Sequence, residues 1–291
     1  DGRVGFLAPA LLTIAIMLLA GAATLLERLS LTSPQVLGLL AAGLGVIAVF
    51  VAQQRRAVSR LTDWSALRHR PVPATLVVMV VLGMTLAGSL LPISMLAQNV
   101  LGMTPVLLGL ASFCASLALM TCSPISARVL ERIGLGPTVG IGLLITAGGL
   151  LGLAQLSMTS GLAFLATWFA VLGVGLGLGM TAASSGAMGS VPKTSVGAVS
   201  GFLNLVASVA AVLGIALLGA IAAVLVSAEW SRLAGQVPGA ESLRDEVISG
   251  AIPQIQQMSG AQVASLAGQS YLAGVHGALL IAGVAMAVMA F

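Results

Sequence analysis

The sequence predicts an all-α polytopic membrane protein, a bundle of helices that cross a lipid bilayer. Hydrophobic residues make up 58% of the 291 residues and charged residues 7%, whereas roughly 25% of the residues are charged in soluble domains. Residues 71–127 and 133–192 contain no charged side chain, and the charged residues between them are Arg128, Glu131 and Arg132. Since one span needs about 20 apolar residues, each window holds two spans and a turn. These observations exclude an ordinary soluble domain.

Eight apolar segments are each predicted to form a membrane-spanning helix. Their bounds are 5–26, 34–52, 73–97, 104–125, 137–156, 161–184, 196–226 and 272–291. With the N-terminus placed in the cytoplasm, nine of the 12 Lys and Arg residues fall in cytoplasmic segments and three in outer ones. Basic residues favour the cytoplasmic side of a membrane, so both ends of the chain are predicted to be cytoplasmic.

Two connecting segments are longer than simple turns. Residues 53–72 form a basic connector that is predicted to lie at the cytoplasmic face. Residues 227–271 form an outer segment, in which "ESLRDEVISGAI" and "MSGAQVASLAGQSYL" are predicted to be short amphipathic helices. The chain begins without Met directly before one apolar segment and ends inside another. We therefore expect a fragment of a longer protein.

In the stretch "GVGLGLGMTAASSGAMG", residues 173–189, glycine occupies every second position from 173 to 179. A dinucleotide-binding loop would need a strand before the glycines, but the preceding residues continue an apolar span. In a helix, Gly175 and Gly179 share one face, as do Gly173 and Gly177. Small residues at this spacing let two helix backbones approach closely in lipid. The pattern therefore favours helix packing over nucleotide binding.

Catalytic and metal-binding patterns are weak in this sequence. Neither His69 nor His276 has a metal-ligand partner at a standard spacing. Cys114 and Cys122 are eight residues apart in one apolar segment, about 12 Å along a helix, which is too far for a disulfide. The basic residues are not interleaved with aromatic ones, as they are in many nucleic-acid-binding surfaces. We predict no enzyme activity, no metal, no cofactor and no nucleic-acid partner.

The stretch "SPISARVLERIGLG", residues 123–136, resembles the conserved cytoplasmic loop of the major facilitator superfamily. The residues that match its second-half form are Pro124, Arg128, Arg132 and Gly134. Glu131 stands where that family has Asp, while Ala127 replaces Gly and Gly136 replaces a basic residue. The resemblance implies a conformational-switch loop built from Arg128, Glu131, Arg132 and Gly134. The alternative is a simple turn placed by the preference for basic residues inside.

Four further stretches resemble the EmrB/QacA family of fourteen-span drug:proton antiporters in this superfamily. "DGRVGFLAPALLTIAIMLL" is similar to the start of its seventh span, and "RLTDWSALRHRPV" to the connector before its ninth. "LPISMLAQNVLGMTPVLLGL" carries Gln98, Gly102 and Pro105 of a third family segment. "VPKTSVGAVSGFLNLVASVAAVLGIALLG" is similar to the thirteenth span, and its matching residues are Gly197, Ser200, Gly201, Asn204, Gly214 and Gly219.

The resemblance implies a transporter that exports lipophilic or cationic drugs by alternating access, in exchange for protons, in the bacterial cytoplasmic (inner) membrane. Residues 1–72 would be two connecting helices with the basic connector, and residues 73–291 the six-helix second half. The protein would be surrounded by membrane lipids. The residues expected to line its substrate cavity are Ser94, Gln98, Trp168, Asn204 and Ser208. None of the apolar segments carries a central carboxylate. The proton-carrying acid would therefore lie in the missing first half.

A second hypothesis is a half-length membrane protein that does not transport by itself and needs a partner half. A membrane enzyme ranks third, because no polar catalytic cluster can be recognised. An upstream coding region with the first-half signature Gly-Pro-x-x-Gly-Gly would favour the transporter. A start codon close to Asp1 would favour the half-length protein.

Overall fold

The computed structural model describes residues 71–193, 196–234 and 240–291, with isolated helical positions between residues 14 and 49. The first two predicted spans lie outside the described residues except at those positions. The basic connector predicted over residues 53–72 lies outside them as far as residue 70.

From Pro71 onward the described chain forms seven α-helices and no strand. The helices are α1 Pro71–Met95, α2 Pro105–Ile133, α3 Leu135–Leu153, α4 Leu162–Gly189, α5 Val196–Ala234, α6 Arg244–Ile248 and α7 Ile252–Met289. A π turn, Leu96–Val100, extends α1, and a 3₁₀ turn, Ala240–Leu243, precedes α6.

Six of these helices are long and apolar enough to span a membrane. They are α1 to α5 and α7, as judged by length and composition within the described residues. In a bilayer the backbone polar groups must be satisfied internally, and a helix meets that requirement within one segment. The predicted all-α polytopic fold is confirmed.

The last span differs from its predicted bounds of 272–291. Helix α7 begins at Ile252, and it continues through the second predicted amphipathic helix instead of beginning after it. Gly260 interrupts the helix with φ 87° and ψ 169°, a conformation outside the helical region. The first predicted amphipathic helix is shorter than expected, because α6 ends at Ile248 and the Gly250 turn follows with φ 72°.

Helices α2 and α3 are joined by a single non-helical residue, Gly134, with φ 86° and ψ 175°. Helix α2 starts with Pro105 in its first turn, and the hydroxyl of Thr104 accepts a hydrogen bond from the Leu107 amide at 3.4 Å. At its other end the Gly134 amide donates to the Leu130 carbonyl at 3.0 Å. Since a positive φ near 86° suits glycine only, this residue permits the shortest connection between the two helices.

The chain divides into two compact units. In the first, Asp1–Ala87 with Ala183–Ala216, helices α1 and α5 approach closely through two glycines. A Cβ on Gly83 would lie 3.1 Å from the Ala207 carbonyl oxygen, and a Cβ on Gly214 would overlap the Met84 backbone. Close backbone approach at small residues is the usual way in which helices associate in lipid.

The second unit comprises Gly88–Ala182 and Leu217–Phe291. Helix α7 packs on α3 along its length, and the Leu151 side chain fills the space beside Gly283. On α5, the Val226 backbone lies against Gly274, where a Cβ would be 2.6 Å from the Val226 nitrogen. A small apolar cluster of Leu218, Ala222 and Ala278 continues this contact.

We expect Gly134→Ala to lower the free energy of unfolding by about 1–3 kcal/mol, because alanine is strained at this φ and ψ. The measurement is the thermal unfolding temperature of the purified protein in detergent. Gly136→Ala is the matched control, since Gly136 is helical and a Cβ there would meet nothing within 4 Å. Equal unfolding temperatures for the two variants would contradict the strained turn.

Candidate functional site

The amide of Gln98 lies in the π turn that follows α1, a feature that was not predicted. Its Nε2 atom donates to the Ser94 hydroxyl at 2.9 Å, and both side chains are partly buried. No described residue donates to the Gln98 amide oxygen, which leaves an acceptor for another group. Pro92, inside α1, lacks the amide that would bond to the preceding turn. This proline is the sequence signal that could have suggested an irregular helix here.

Asn204 and Ser208 lie on α5 within the first unit, and both are exposed. The Asn204 amide donates to the Ser200 carbonyl at 3.1 Å, and the Ser208 hydroxyl donates to the Asn204 carbonyl at 2.9 Å. Both donors are thus directed along their own helix. The Asn204 amide oxygen remains as an acceptor, as in Gln98, with no donor among the described residues.

Trp168 covers Gly152 rather than standing apart from other helices. A Cβ on Gly152 would overlap the indole ring, so the ring lies directly on the α3 backbone. Phe164 contacts the same ring edge to face, with the ring centroids 6.3 Å apart. The side chain is still partly exposed. This position supports helix packing as at least one role of Trp168.

Four of the five predicted cavity residues form two hydrogen-bonded pairs, each within one unit. Gln98 and Ser94 form one hydrogen-bonded pair in the second unit, and Asn204 and Ser208 form another in the first. Trp168 belongs to the second unit.

The predicted switch motif is helical and not a loop, which corrects the sequence interpretation. Arg128, Glu131 and Arg132 lie in the last turns of α2, and Gly134 alone forms the connection to α3. The three charged side chains are exposed. Among the described residues the single ion pair joins Glu229 and Arg232 on α5, so Glu131 and Arg132 do not form an ion pair with each other. Helix α2 extends to Ile133 because residues 126–133 continue its hydrogen-bonding pattern. It ends before Gly134, the first residue that favours a positive φ.

Two serines in the same stretch were missed by sequence reasoning. Ser126 is fully buried, and its hydroxyl donates to the Leu178 carbonyl on α4 at 2.8 Å. Ser123 accepts a hydrogen bond from the Thr181 hydroxyl at 3.1 Å. The only hint in the sequence is that both serines lie at the end of an apolar helix. Which helix they face depends on tertiary packing.

The four glycines of α4 that were predicted to pack helices lie in contact with two different helices. Gly173 and Gly177 face α2, while Gly175 and Gly179 face α3. In the described residues no three His, Cys, Asp or Glu side chains are grouped as metal ligands.

Comparison with known proteins identifies the family. The family model described as Major Facilitator Superfamily matches residues 2–215. The tetracenomycin C resistance and export protein of Streptomyces glaucescens is 28% identical over 257 residues, which are 85% of this chain and 48% of that protein. The multidrug resistance protein Stp of Mycobacterium tuberculosis is 26% identical over 255 residues, 83% of this chain and 47% of that protein.

The tetracycline resistance determinant of Streptomyces rimosus is 28% identical over 191 residues, 64% of this chain and 54% of that protein. The chain therefore spans about half the length of the curated relatives that it matches. The family match covers most of the chain, and six described helices are suited to span a membrane. The chain belongs to the major facilitator superfamily, a family of multi-pass membrane transporters.

Proposed function

We propose that this chain is the second half of an EmrB/QacA-type drug:proton antiporter, preceded by its two linker spans. The relatives are named for resistance to, or export of, drugs. The complete protein would carry lipophilic or cationic drugs outward by alternating access, in which two halves rock about a central site. Residues 1–72 supply the linker, and residues 73–291 supply one wall of the cavity. The two ends of this chain face the cytoplasm.

The observation that carries the proposal is the exposure of α2. Of its most apolar 18-residue window, 6% is buried, against 50% for α3 and for α4. The relatives are about twice as long as this chain. If the other half normally packs against α2, its absence leaves α2 exposed, as observed. The same helix at the edge of a complete bundle would contact lipid on one face only.

The exposed side chains of α2 have the spacing of a helix-packing seam. Val106, Leu110, Phe113, Leu117 and Met120 alternate by four and three residues, and each is 49–80% exposed. Apolar residues at this heptad spacing form one continuous stripe that suits a second helix. The seam supports a first half that packs against α2.

The candidate substrate contacts are few and neutral. Gln98 and Asn204 each offer an amide oxygen, and the remaining candidates are Ser94, Ser208 and Trp168. A pocket of mostly apolar side chains with a few fixed polar groups suits a lipophilic substrate. The described spans place no carboxylate at their centres, since Glu131 and Glu229 lie near helix ends. The proton-carrying acid therefore belongs to the first half.

The test is uptake of a fluorescent lipophilic cation into inverted membrane vesicles, in which the cytoplasmic face of the membrane is on the outside. We expect the protein made from the complete coding sequence to move the dye when a proton gradient is applied and to stop when a protonophore collapses the gradient. Residues 1–291 alone are expected not to move it, because half of the cavity wall is absent. Transport by residues 1–291 alone would refute the half-transporter. Loss of dye movement in the complete protein would refute drug export.

Gln98→Ala in the complete protein is expected to raise the KM for the dye about 2- to 10-fold, the effect of losing one hydrogen bond of about 0.5–1.5 kcal/mol. The measurement is the initial transport rate as a function of dye concentration. Gln256→Ala is the matched control, because Gln256 is exposed near the start of α7, far along the chain from any candidate contact. An unchanged KM for Gln98→Ala would exclude Gln98 from the substrate contacts.

A further inference from the structure

Helices α2 and α3 form a hairpin that holds the Gly173–Thr181 segment of α4 between its two arms. The hairpin is closed by Gly134 alone, so its arms cannot separate at the closed end without unwinding a helix. Each arm contacts a different face of α4. Both arms and this segment of α4 belong to the second unit.

The α2 arm touches the α4 backbone at two glycines. A Cβ on Gly173 would overlap the Ala115 backbone, and a Cβ on Gly177 would lie 2.8 Å from the Leu119 carbonyl oxygen. Real Cβ contacts are essentially never shorter than 3.0 Å. Neither position therefore has room for a side chain.

The α3 arm touches the opposite face of α4 in the same manner. A Cβ on Gly142 would lie 2.6 Å from the Gly179 nitrogen, and a Cβ on Gly175 would overlap Thr146. The Thr146 hydroxyl donates to the Gly142 carbonyl at 2.8 Å, so the hydroxyl at this contact is satisfied within its own helix. The α4 backbone is thus in contact with a neighbouring backbone on both sides.

Two hydrogen bonds fasten the α2 arm to α4. The buried Ser126 hydroxyl donates to the Leu178 carbonyl at 2.8 Å, and the Thr181 hydroxyl donates to Ser123 at 3.1 Å. A hydrogen bond broken in an apolar environment leaves both partners without water to replace it. These two bonds therefore oppose separation of the helices at the end that carries Arg128 and Arg132.

The side chains that flank the glycines oppose sliding. On the face toward α2 the residues at four-residue spacing are Phe169, Gly173, Gly177 and Thr181. A slide by one turn in one direction would bring Phe169 to the Ala115 backbone. A slide in the other direction would bring Thr181 to the Leu119 backbone. Neither contact has space for a Cβ, so the register of α4 is fixed.

We propose that Ser126 is the positioning residue that latches α4 to the switch motif, so that α2, α3 and this segment of α4 stay in contact when the halves rock as rigid bodies in the proposed transport cycle. The four glycines of this segment, at positions 173, 175, 177 and 179, are then packing residues and not a hinge. This inference rests on the proposed transport function for its cycle, since α4 neither bends nor slides within the hairpin while the cavity opens and closes. A movement of the charged end of α2 is transmitted to α4 directly.

The test is a disulfide between α2 and α4, placed where the Thr181 hydroxyl donates to Ser123. Ser123→Cys and Thr181→Cys are combined in the complete protein after Cys114 and Cys122 are replaced by Ala. The native hydroxyl oxygens are 3.1 Å apart, so sulfurs in their places are close enough for a bond of about 2.05 Å after a small side-chain adjustment. The single variants Ser123→Cys and Thr181→Cys are the matched controls.

We expect the disulfide to form on mild oxidation to the same extent with and without the dye, as measured by mass spectrometry of the linked peptides. The transport rate of the oxidised protein is expected to lie within about 2-fold of the rate of the reduced protein. This difference is smaller than the effect of losing one hydrogen bond. Inactivity that a reductant reverses would show that α2 and α4 separate during transport and would overturn the inference. Absence of the disulfide would overturn it as well. If no variant transports, the proposed function fails, whereas disulfide formation still tests the contact itself.

The latch is tested by Ser126→Ala, with Ser126→Cys as the conservative variant that retains a weak donor. We expect Ser126→Ala to lower the maximal transport rate about 2- to 10-fold and to leave the KM for the dye unchanged, because Ser126 contacts α4 and not the candidate cavity residues. Partial recovery is expected for Ser126→Cys. A raised KM at an unchanged maximal rate would assign Ser126 to binding and overturn its positioning role.

Discussion

Contact between helix backbones is the constraint on which the second unit depends. In lipid, apolar side chains gain little by leaving the solvent for another helix, so association depends on van der Waals packing and on hydrogen bonds between helices. Helix α4 meets both requirements, because its glycines admit α2 on one side and α3 on the other. The short connection at Gly134 fits this arrangement. Helices α2 and α3 start from a common end and lie on two sides of α4.

The hydroxyl groups of α2 explain how a helix with little contact to other helices can tolerate an apolar environment. Ser112, Ser116 and Thr121 each donate to a carbonyl three or four residues earlier in the same helix. These side chains therefore need no partner from elsewhere. Ser126 differs, since its hydroxyl donates to α4. The end of α2 near the switch motif is thus the part that a buried polar contact joins to its neighbour.

Hydropathy was sufficient to predict the fold class and the presence of the six described spans, because the requirement for about 20 apolar residues is strict. The small-residue rows of α4 could likewise be recognised from spacing. Other features depend on packing and not on composition. The direction of the Ser126 hydroxyl follows from a contact between helices, whereas the π turn at Leu96–Val100 had a sequence signal in Pro92. The early start of α7 at Ile252 could not be predicted from hydropathy, since polar residues such as Gln256 and Gln262 are compatible with a helix outside the apolar layer.

The π turn gives Gln98 a setting that a regular helix would not provide. A π turn widens the helix locally, and such turns are frequent at functional sites. Here the turn also packs on α7, where a Cβ on Gly268 would lie 3.4 Å from the Val100 side chain. The backbone around Gln98 is therefore held by a neighbouring helix, while its side chain is oriented by Ser94 at 2.9 Å. In the proposed substrate contact, an amide that is fixed in this way would lose little conformational freedom, so a single hydrogen bond to it would contribute more to binding than one to a mobile side chain.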